Sequence, residues 1–186
     1  MRDSAPNEAR AARFTAVYDA SYHRILGYAR RRTHPDDAVD VVAETFTIAW
    51  RRLDEMPEGE QALYWLYATA RRVLANHRRA QRRRANLAGA LESEPLVTTS
   101  APPGAESHRV AAALAELRED ERELLLLVAW EGLDATALAA VLRCSRNAAR
   151  IRLHRARRHF AHVLAELADD AKRPIRTAPL QLEDRP

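Results

Sequence analysis

Two stretches of the chain concentrate arginine and contain no acidic residue. The first, residues 71–84, carries Arg71, Arg72, Arg78, Arg79, Arg82, Arg83 and Arg84. The second, residues 143–158, carries Arg143, Arg146, Arg150, Arg152, Arg155, Arg157 and Arg158. The net charge of the chain is only +4, so basic residues are not in large excess. They are instead clustered in these two stretches. Clustered guanidinium groups bind phosphates and release counterions, so the pattern indicates a nucleic-acid partner; two solvated helix faces are the alternative.

The second arginine tract lies on a predicted helix with one apolar stripe. Its apolar residues recur at spacings of four, three and four: Ala149, Leu153, Ala156 and Phe160. These spacings put them on one buried face, which leaves Arg150, His154 and Arg155 on an exposed face. Arginine can pair bidentately with guanine in the major groove, which admits a helix. The pattern predicts base recognition, although a helix-turn-helix can also serve protein contacts.

The first arginine tract follows a cluster of aromatic residues at the start of another predicted helix, namely Tyr64, Trp65 and Tyr67. Aromatic rings stack on unpaired bases while arginines contact the backbone, so this combination suits single-stranded or opened DNA. The alternative is that these rings belong to a hydrophobic core, as aromatic side chains in small domains usually do.

The residue types needed for metal or nucleophilic catalysis are not grouped. The seven histidines lie at positions 23, 34, 77, 108, 154, 159 and 162, and only His159 and His162 are at helical spacing. The lone Cys144 cannot complete a zinc site with them, and no phosphate-binding glycine loop occurs. We therefore predict no enzymatic activity and no cofactor. Cys144 is expected to be a small, half-buried turn residue, with a redox sensor as the alternative.

The composition predicts an all-α protein, since Ala, Leu, Arg and Glu dominate and only five glycines occur. Gly132 ends one helix, Asp134 can cap the next, and the short turn 143–145 then forms a helix-turn-helix. Predicted helices span about residues 8–32, 36–53, 61–84, 110–118, 121–131, 135–142 and 146–167.

A stretch rich in Pro, Ser and Thr, residues 85–107, divides the chain. It predicts a flexible linker between two small helical domains, residues 8–84 and 108–168, each with its own core. Residues 169–186 are expected to be a disordered tail. The polar start of the chain and the lack of an eighteen-residue apolar run argue against a signal peptide and membrane insertion. A cytoplasmic location is expected, and a single cysteine agrees with a reducing compartment.

Four segments together carry a resemblance to a known family: DDAVDVVAETFTIAWRRLDEM, ALYWLYATARRVLANHRR, ALAELREDERELLLLVAWEGLDATALAAVLRCS and NAARIRLHRARRHF. In this order and spacing, they make the chain resemble the extracytoplasmic-function (ECF, group IV) sigma factors of bacterial RNA polymerase. The resemblance covers nearly all of residues 13–164. It implies a protein that binds core RNA polymerase and directs it to specific promoters, with core polymerase and promoter DNA as partners and an anti-sigma factor as a further candidate.

The resemblance assigns roles in the N-terminal domain by position. Asp40 and Glu44 match the helix that binds the polymerase clamp, where the family's usual Gln between them is Ala43 here. Residues 56–61 match the loop that captures a flipped base of the minus-ten element. The residues implied in minus-ten recognition and melting are Met56, Tyr64, Trp65, Arg71, Arg72 and Asn76.

In the C-terminal domain, the resemblance assigns recognition of the minus-thirty-five element to Arg146, Arg150, Ile151, His154, Arg155 and Arg158. The family commonly has Gly where Arg143 stands. Its members thread the linker through the polymerase toward the RNA exit path. The alternative function is a free-standing helix-turn-helix regulator that binds duplex DNA without polymerase. Such a regulator would need neither an acidic clamp-binding helix nor an aromatic and basic melting helix.

Overall fold

The computed structural model describes residues 4–88 and 104–170, and these residues form helices without strands. A 3-10 turn, Leu53–Glu55, joins the second and third helices. The all-α prediction is confirmed. Residues 171–186 of the predicted tail and residues 89–103 of the predicted linker lie outside the described residues. The ends of both predictions are wrong, because residues 169–170, 85–88 and 105–107 belong to helices. The α-helices are α1 (Ser4–Arg30), α2 (Pro35–Arg51), α3 (Glu60–Ala88), α4 (Ala105–Glu116), α5 (Glu119–Ala129), α6 (Ala135–Leu142) and α7 (Arg146–Asp170).

Helix starts follow from local side-chain chemistry. The carboxylate of Asp134 accepts hydrogen bonds from the backbone N–H groups of Thr136 and Ala137, at 2.9 and 2.8 Å, and so caps α6 as predicted. The hydroxyl of Ser145 accepts from the N–H of Ala148 at 3.2 Å and caps α7. The turn between these helices contains Arg143 in the left-handed region, with φ 51°. The structure thus contains the helix-turn-helix that the sequence predicts.

The N-terminal half, residues 4–88, is a bundle in which α1, α2 and α3 all pack on one another. Its core is built from fully or almost fully buried side chains, including Ile25, Tyr28, Val41, Phe46, Leu53, Leu66, Tyr67 and Val73. In the C-terminal half, residues 104–170, helices α4, α5 and α6 each pack on α7. The predicted stripe of α7 faces this half's interior: Ala149 and Ala156 are fully buried, and Leu153 and Phe160 are half-buried.

The prediction of two small helical domains is confirmed, and the C-terminal half has a hydrophobic cluster of its own: Leu114, Leu117 and Leu126. The two halves also touch, because a second cluster includes Leu66 of α3 together with Leu138 and Val141 of α6, and α6 packs directly on α3. The physical reason is the sequence of α6, ATALAAVL, which is apolar on nearly every side and so packs on α7 and α3 at once. None of the helices in residues 4–88 and 104–170 has both the length and the apolar character needed to cross a membrane.

A nearly buried carboxylate ties α5 to α7. Glu121 accepts hydrogen bonds from Arg118 at 3.1 and 3.3 Å, and His159 Nδ1 lies 3.0 Å from its second oxygen. The Arg118 hydrogen bonds, assisted by His159, lower the pKa of Glu121 from 4.5 to about 2. A carboxylate with a lowered pKa stabilises the folded state above its unfolded pKa, and this stability is lost as the pH falls toward the folded value.

We predict that Glu121→Gln lowers the free energy of unfolding by about 1–2 kcal/mol at about pH 7, because the exposed Arg118 is partly screened by water. The difference from the unmodified protein should shrink as the pH falls from about 4.5 to about 2. Urea titrations at the two ends of this range measure it. Glu116→Gln, an exposed change on α4, is the matched control, and a difference that does not depend on pH would contradict the prediction.

Candidate nucleic-acid interface

The exposed face of α7 is basic and open to solvent. Arg150, His154 and Arg155 are all exposed, and Ile151 beside them is 44% exposed. Arg146 and Arg158, also exposed, flank this face along the helix. Within the described residues, no carboxylate pairs with any of these arginines. A helix with free guanidinium groups opposite a buried stripe has the geometry needed to enter a major groove.

The aromatic residues at the start of α3 divide into two kinds. Tyr67 is fully buried in the core, with its hydroxyl 3.5 Å from a carboxylate oxygen of Glu131, so the core alternative is correct for this ring. Tyr64 and Trp65 are half-buried and retain exposed surface. The guanidinium of Arg52 lies 6.0 Å from the centre of the Trp65 ring. Only Tyr64 and Trp65 can therefore offer a ring to an unpaired base without leaving the core.

The loop before α3 is anchored at one end and open at the other. The side chain of Met56 is only 3% exposed, and its backbone carbonyl accepts a hydrogen bond from Arg13 at 2.5 Å. Residues 57–61 are exposed. Gly59 adopts φ 62°, a conformation that favours glycine. Met56 thus fixes the position of the loop. The exposed residues 57–61 are the part that can contact a ligand.

The first arginine tract runs along α3 and meets acidic residues that sequence reasoning did not connect with it. Arg72 and Asn76 are exposed and Arg71 is half-buried. Further along, Arg78 forms a short ion pair with Glu119 at the start of α5, and Arg82 Nη2 lies 3.8 Å from the same carboxylate. Glu119 of the C-terminal half therefore partly neutralises the arginines of α3. Among the described residues, no carboxylate does the same for the arginines of α7.

On α2, acidic and apolar side chains share an exposed surface. Asp40 is exposed, and Val39 beside it is 54% exposed. Glu44, one turn later, contacts His77 Nε2 of α3 at 2.8 Å while remaining 44% exposed. An exposed valine beside exposed carboxylates is suited to a protein partner with basic and apolar groups.

Buried polar and charged groups lie between the two halves, in a cluster that we call the clasp: Tyr28, Arg32, Glu123 and Glu131. Arg32 Nε donates to Glu123 at 2.7 Å and its Nη1 donates to Glu131 at 3.1 Å. The Tyr28 hydroxyl donates to Glu123 at 2.7 Å. Burial, and then the charge of Glu123, raises the pKa of Tyr28 well above its usual value, so the hydroxyl stays protonated. The clasp joins α1 to α5 and to the residues just after α5.

Sequence reasoning missed the clasp, although a signal was present. Glu123 and Glu131 lie within or next to the apolar run of α5, where a carboxylate is unusual unless it is paired. Cys144 is half-buried, as expected for a small turn residue. Among the residues that the structure describes, no three His, Cys, Asp or Glu side chains converge as metal ligands.

Two protein-family models match the chain, one in each half. The model described as Sigma-70 region 2 matches residues 17–84, and the model described as Sigma-70, region 4 matches residues 107–160. Both arginine tracts fall within the matched residues. The two models follow one another in the same order as the two halves of the structure.

Curated relatives and a solved structure are similar over most of the chain. The RNA polymerase sigma-H factor of Pseudomonas aeruginosa is 32% identical over 164 residues, which cover 80% of this chain and 84% of that protein. The ECF RNA polymerase sigma factor SigL of Mycobacterium tuberculosis is 29% identical over 172 residues, covering 89% and 97%. The sigma factor RpoE of Bartonella quintana, solved in complex with the anti-sigma factor NepR, shares the fold with a TM-score of 0.58 and 21% identity, covering 86% and 96%.

Proposed function

Because this chain belongs to the ECF family of RNA polymerase sigma factors, which direct the polymerase to promoters, we propose that its two basic helices divide promoter recognition between them. We propose that α7 recognises the minus-thirty-five element and that α3, with the loop before it, recognises and opens the minus-ten element. The observation that carries this division is the exposed arginines on α7, which pair with no carboxylate in the part of the chain that the structure describes. The polymerase supplies the catalysis, and we propose no catalytic activity for this chain.

Within α7, position determines which part of the DNA each side chain contacts. Arg150, His154 and Arg155 lie opposite the buried stripe, so they would reach base edges in the groove, with Ile151 beside them. Arg146 and Arg158 lie toward the ends of this face and would contact phosphate. Sequence preference would therefore come from Arg150, His154 and Arg155 in the middle of the face. Arg146 and Arg158 at its ends would provide affinity for any duplex.

Within α3, the half-buried rings of Tyr64 and Trp65 would stack on or wedge against opened bases. Arg71, Arg72 and Asn76 follow on the same helix and would hold the backbone of the opened strand. The loop 57–61, positioned by the buried Met56, would accept a base that has left the stack. Opening of the duplex would thus be coupled to binding of the displaced strand.

On α2, the exposed surface around Asp40 and Glu44 would bind the polymerase clamp. Carboxylates on one face, four residues apart, suit a basic partner helix. We also propose that an anti-sigma factor regulates this chain, as the solved sigma factor of the same fold is held by one. The chain would act where the polymerase is, in the bacterial cytoplasm.

The function is tested by dependence on the polymerase. We expect the isolated chain to bind a cognate promoter duplex weakly and tight binding to appear only with core enzyme, because two DNA-binding surfaces gain affinity when a scaffold holds both at the spacing of their DNA elements. Gel shifts and run-off transcription with and without core enzyme measure this. Tight, sequence-specific binding by the chain alone would favour the free-standing regulator instead.

We predict that replacing both Asp40 and Glu44 with lysine weakens binding to core enzyme by roughly tenfold or more. The new positive charges would repel a basic clamp where the carboxylates attract it. Both residues are exposed, so helicity by circular dichroism should not change. Reversing charge at the exposed Asp19 and Glu116 is the matched control. If the two double variants bind core enzyme equally well, α2 is not the clamp-binding surface.

We predict that Arg155→Ala costs about 1–3 kcal/mol on the cognate upstream element and relaxes preference at one or two base pairs. Arg158→Ala should instead weaken binding to every sequence alike and lower the salt slope by roughly one unit, as expected for a phosphate contact. Holoenzymes carrying each variant are titrated against upstream-element variants at several salt concentrations. An equal loss for all sequences in Arg155→Ala would rule out base recognition by this residue.

A further inference from the structure

We infer that Arg52 and Trp65 form a slot for one unpaired base of the opened minus-ten strand, with the indole on one face of the base and the guanidinium on the other. The inference rests on the proposed function of α3. It adds two residues to those that hold the opened strand: Arg52 at the end of α2 and Glu55 in the 3-10 turn. Arg52 would touch the base, whereas Glu55 is a positioning residue that acts through Arg52.

The backbone around Arg52 is fixed by its neighbours. The N–H of Arg52 donates to the carbonyl of Ile48 at 3.0 Å, and its own carbonyl accepts from the N–H of Glu55 at 3.0 Å. The next residue, Leu53, is fully buried. The end of α2 and the 3-10 turn therefore place the Arg52 side chain beside α3 before any ligand binds.

Glu55 holds the guanidinium of Arg52 by its edge. Arg52 Nε donates to one carboxylate oxygen at 3.1 Å, and Nη2 forms a short hydrogen bond with the other. These hydrogen bonds lower the pKa of Glu55, with a smaller contribution from the charge of Arg143, so the carboxylate is ionised at neutral pH. A two-pronged pair of this kind uses the edge of the planar guanidinium and leaves its faces free to stack.

The gap between Arg52 and Trp65 is wider than direct stacking requires. The guanidinium carbon lies 6.0 Å over the ring centre of Trp65, whereas that of Arg32 lies 3.8 Å over the ring of Tyr28. The other guanidinium–ring pairs among the described residues lie at 5.4 Å. A base between the two groups needs two stacking distances of about 3.4 Å each, so an outward shift of roughly 1 Å would admit it.

One wall of the slot is fixed and the other can move. Trp65 is half-buried, so the core holds the indole while part of the ring stays accessible. The Arg52 side chain is 43% exposed and Glu55 is 59% exposed, so the pair can shift outward together. The exposed residues 57–61 lie between the two walls in the sequence. A base that has left the duplex beside this loop would therefore reach the slot from solvent.

The chemistry of the slot favours a base over a phosphate. Glu55 neutralises Arg52 and would repel a phosphate that approached the same edge of the guanidinium. A base is uncharged and binds the faces of both side chains, through stacking and cation–π attraction, so it does not compete with Glu55. A lysine could replace Arg52 in a phosphate contact but has no plane on which a base can stack.

The first test uses fork-junction DNA, a duplex whose minus-ten strand is unpaired, titrated against holoenzyme carrying each variant. We expect Arg52→Gln to weaken binding roughly fivefold or more, as for the loss of one stacking contact, and Arg52→Lys to weaken it nearly as much. Arg30→Gln removes an exposed arginine from the end of α1 and is the matched control, which should bind like the parent. Full binding by Arg52→Lys would overturn the slot and indicate a phosphate contact.

The second test separates positioning by Glu55 from competition. We expect Glu55→Gln to weaken binding of the fork roughly two- to fivefold, the range of an exposed ion pair, and to add nothing in an Arg52→Gln background. Glu116→Gln, an exposed change on α4, controls for the loss of a negative charge. Tighter binding by Glu55→Gln than by Glu116→Gln would show that the carboxylate competes with DNA for Arg52, which would overturn the slot.

The third test locates the base. Forks that lack one base at a time, each replaced by an abasic site, are titrated with the parent, Arg52→Gln and Trp65→Ala holoenzymes. We expect both substitutions to lose their effect at the same single position, because neither side chain then has a base to contact. Arg52 is exposed, so its variant decides the result even if Trp65→Ala lowers stability. An effect of Arg52→Gln that persists at every abasic position would overturn the slot.

Failure of the proposed function gives a different result. If the parent holoenzyme bound the fork no more tightly than a fork with a scrambled minus-ten strand, the role of α3 in recognising this element would be wrong. Selective binding by the parent together with unchanged binding by Arg52→Gln would overturn the slot alone.

Discussion

The rest of the structure depends on the burial of one guanidinium, that of Arg32. Charged groups are buried only with partners of opposite sign, and both carboxylates that pair with Arg32 belong to the other half of the chain. The position of α5 relative to α1 is thereby fixed. Because α5 is fixed, its acidic start lies against the arginines of α3, while α6 lies against the apolar side of the same helix.

The ion pairs between the two halves define one relative geometry but add little to the free energy of the contact. A buried ion pair contributes little net stability compared with apolar packing, since the cost of desolvation offsets most of the attraction. Arg32 Nη2 is buried without a hydrogen-bond partner in the described residues, and such a group costs about 1–3 kcal/mol. Separating the halves would return these charges to water, which lowers the net contribution of the ion pairs to the contact.

The elements that the sequence predicts well are those governed by neighbouring residues. The bounds of α6 match the prediction, because Asp134 provides its cap and the turn around Arg143 ends it. The buried stripe and the exposed arginines of α7 follow from helical spacing in the same way. Contacts between distant residues leave a weaker signal in one sequence. The burial of Met56 depends on the loop that Arg13 holds, and the contacts of Tyr67 and Arg32 with the other half depend on how the halves pack, so helical spacing alone did not predict them.

The left-handed backbone of Arg143 bears on how this family member could be engineered. A residue with a Cβ atom costs on the order of 1 kcal/mol or more in this region, whereas glycine adopts it freely. Glycine at this turn would remove the strain and, with it, one guanidinium next to the exposed basic face of α7. Under the proposed function, replacing Arg143 with glycine would therefore raise stability and lower the affinity for DNA phosphates. Directed evolution toward a heat-tolerant variant would be expected to change this position early.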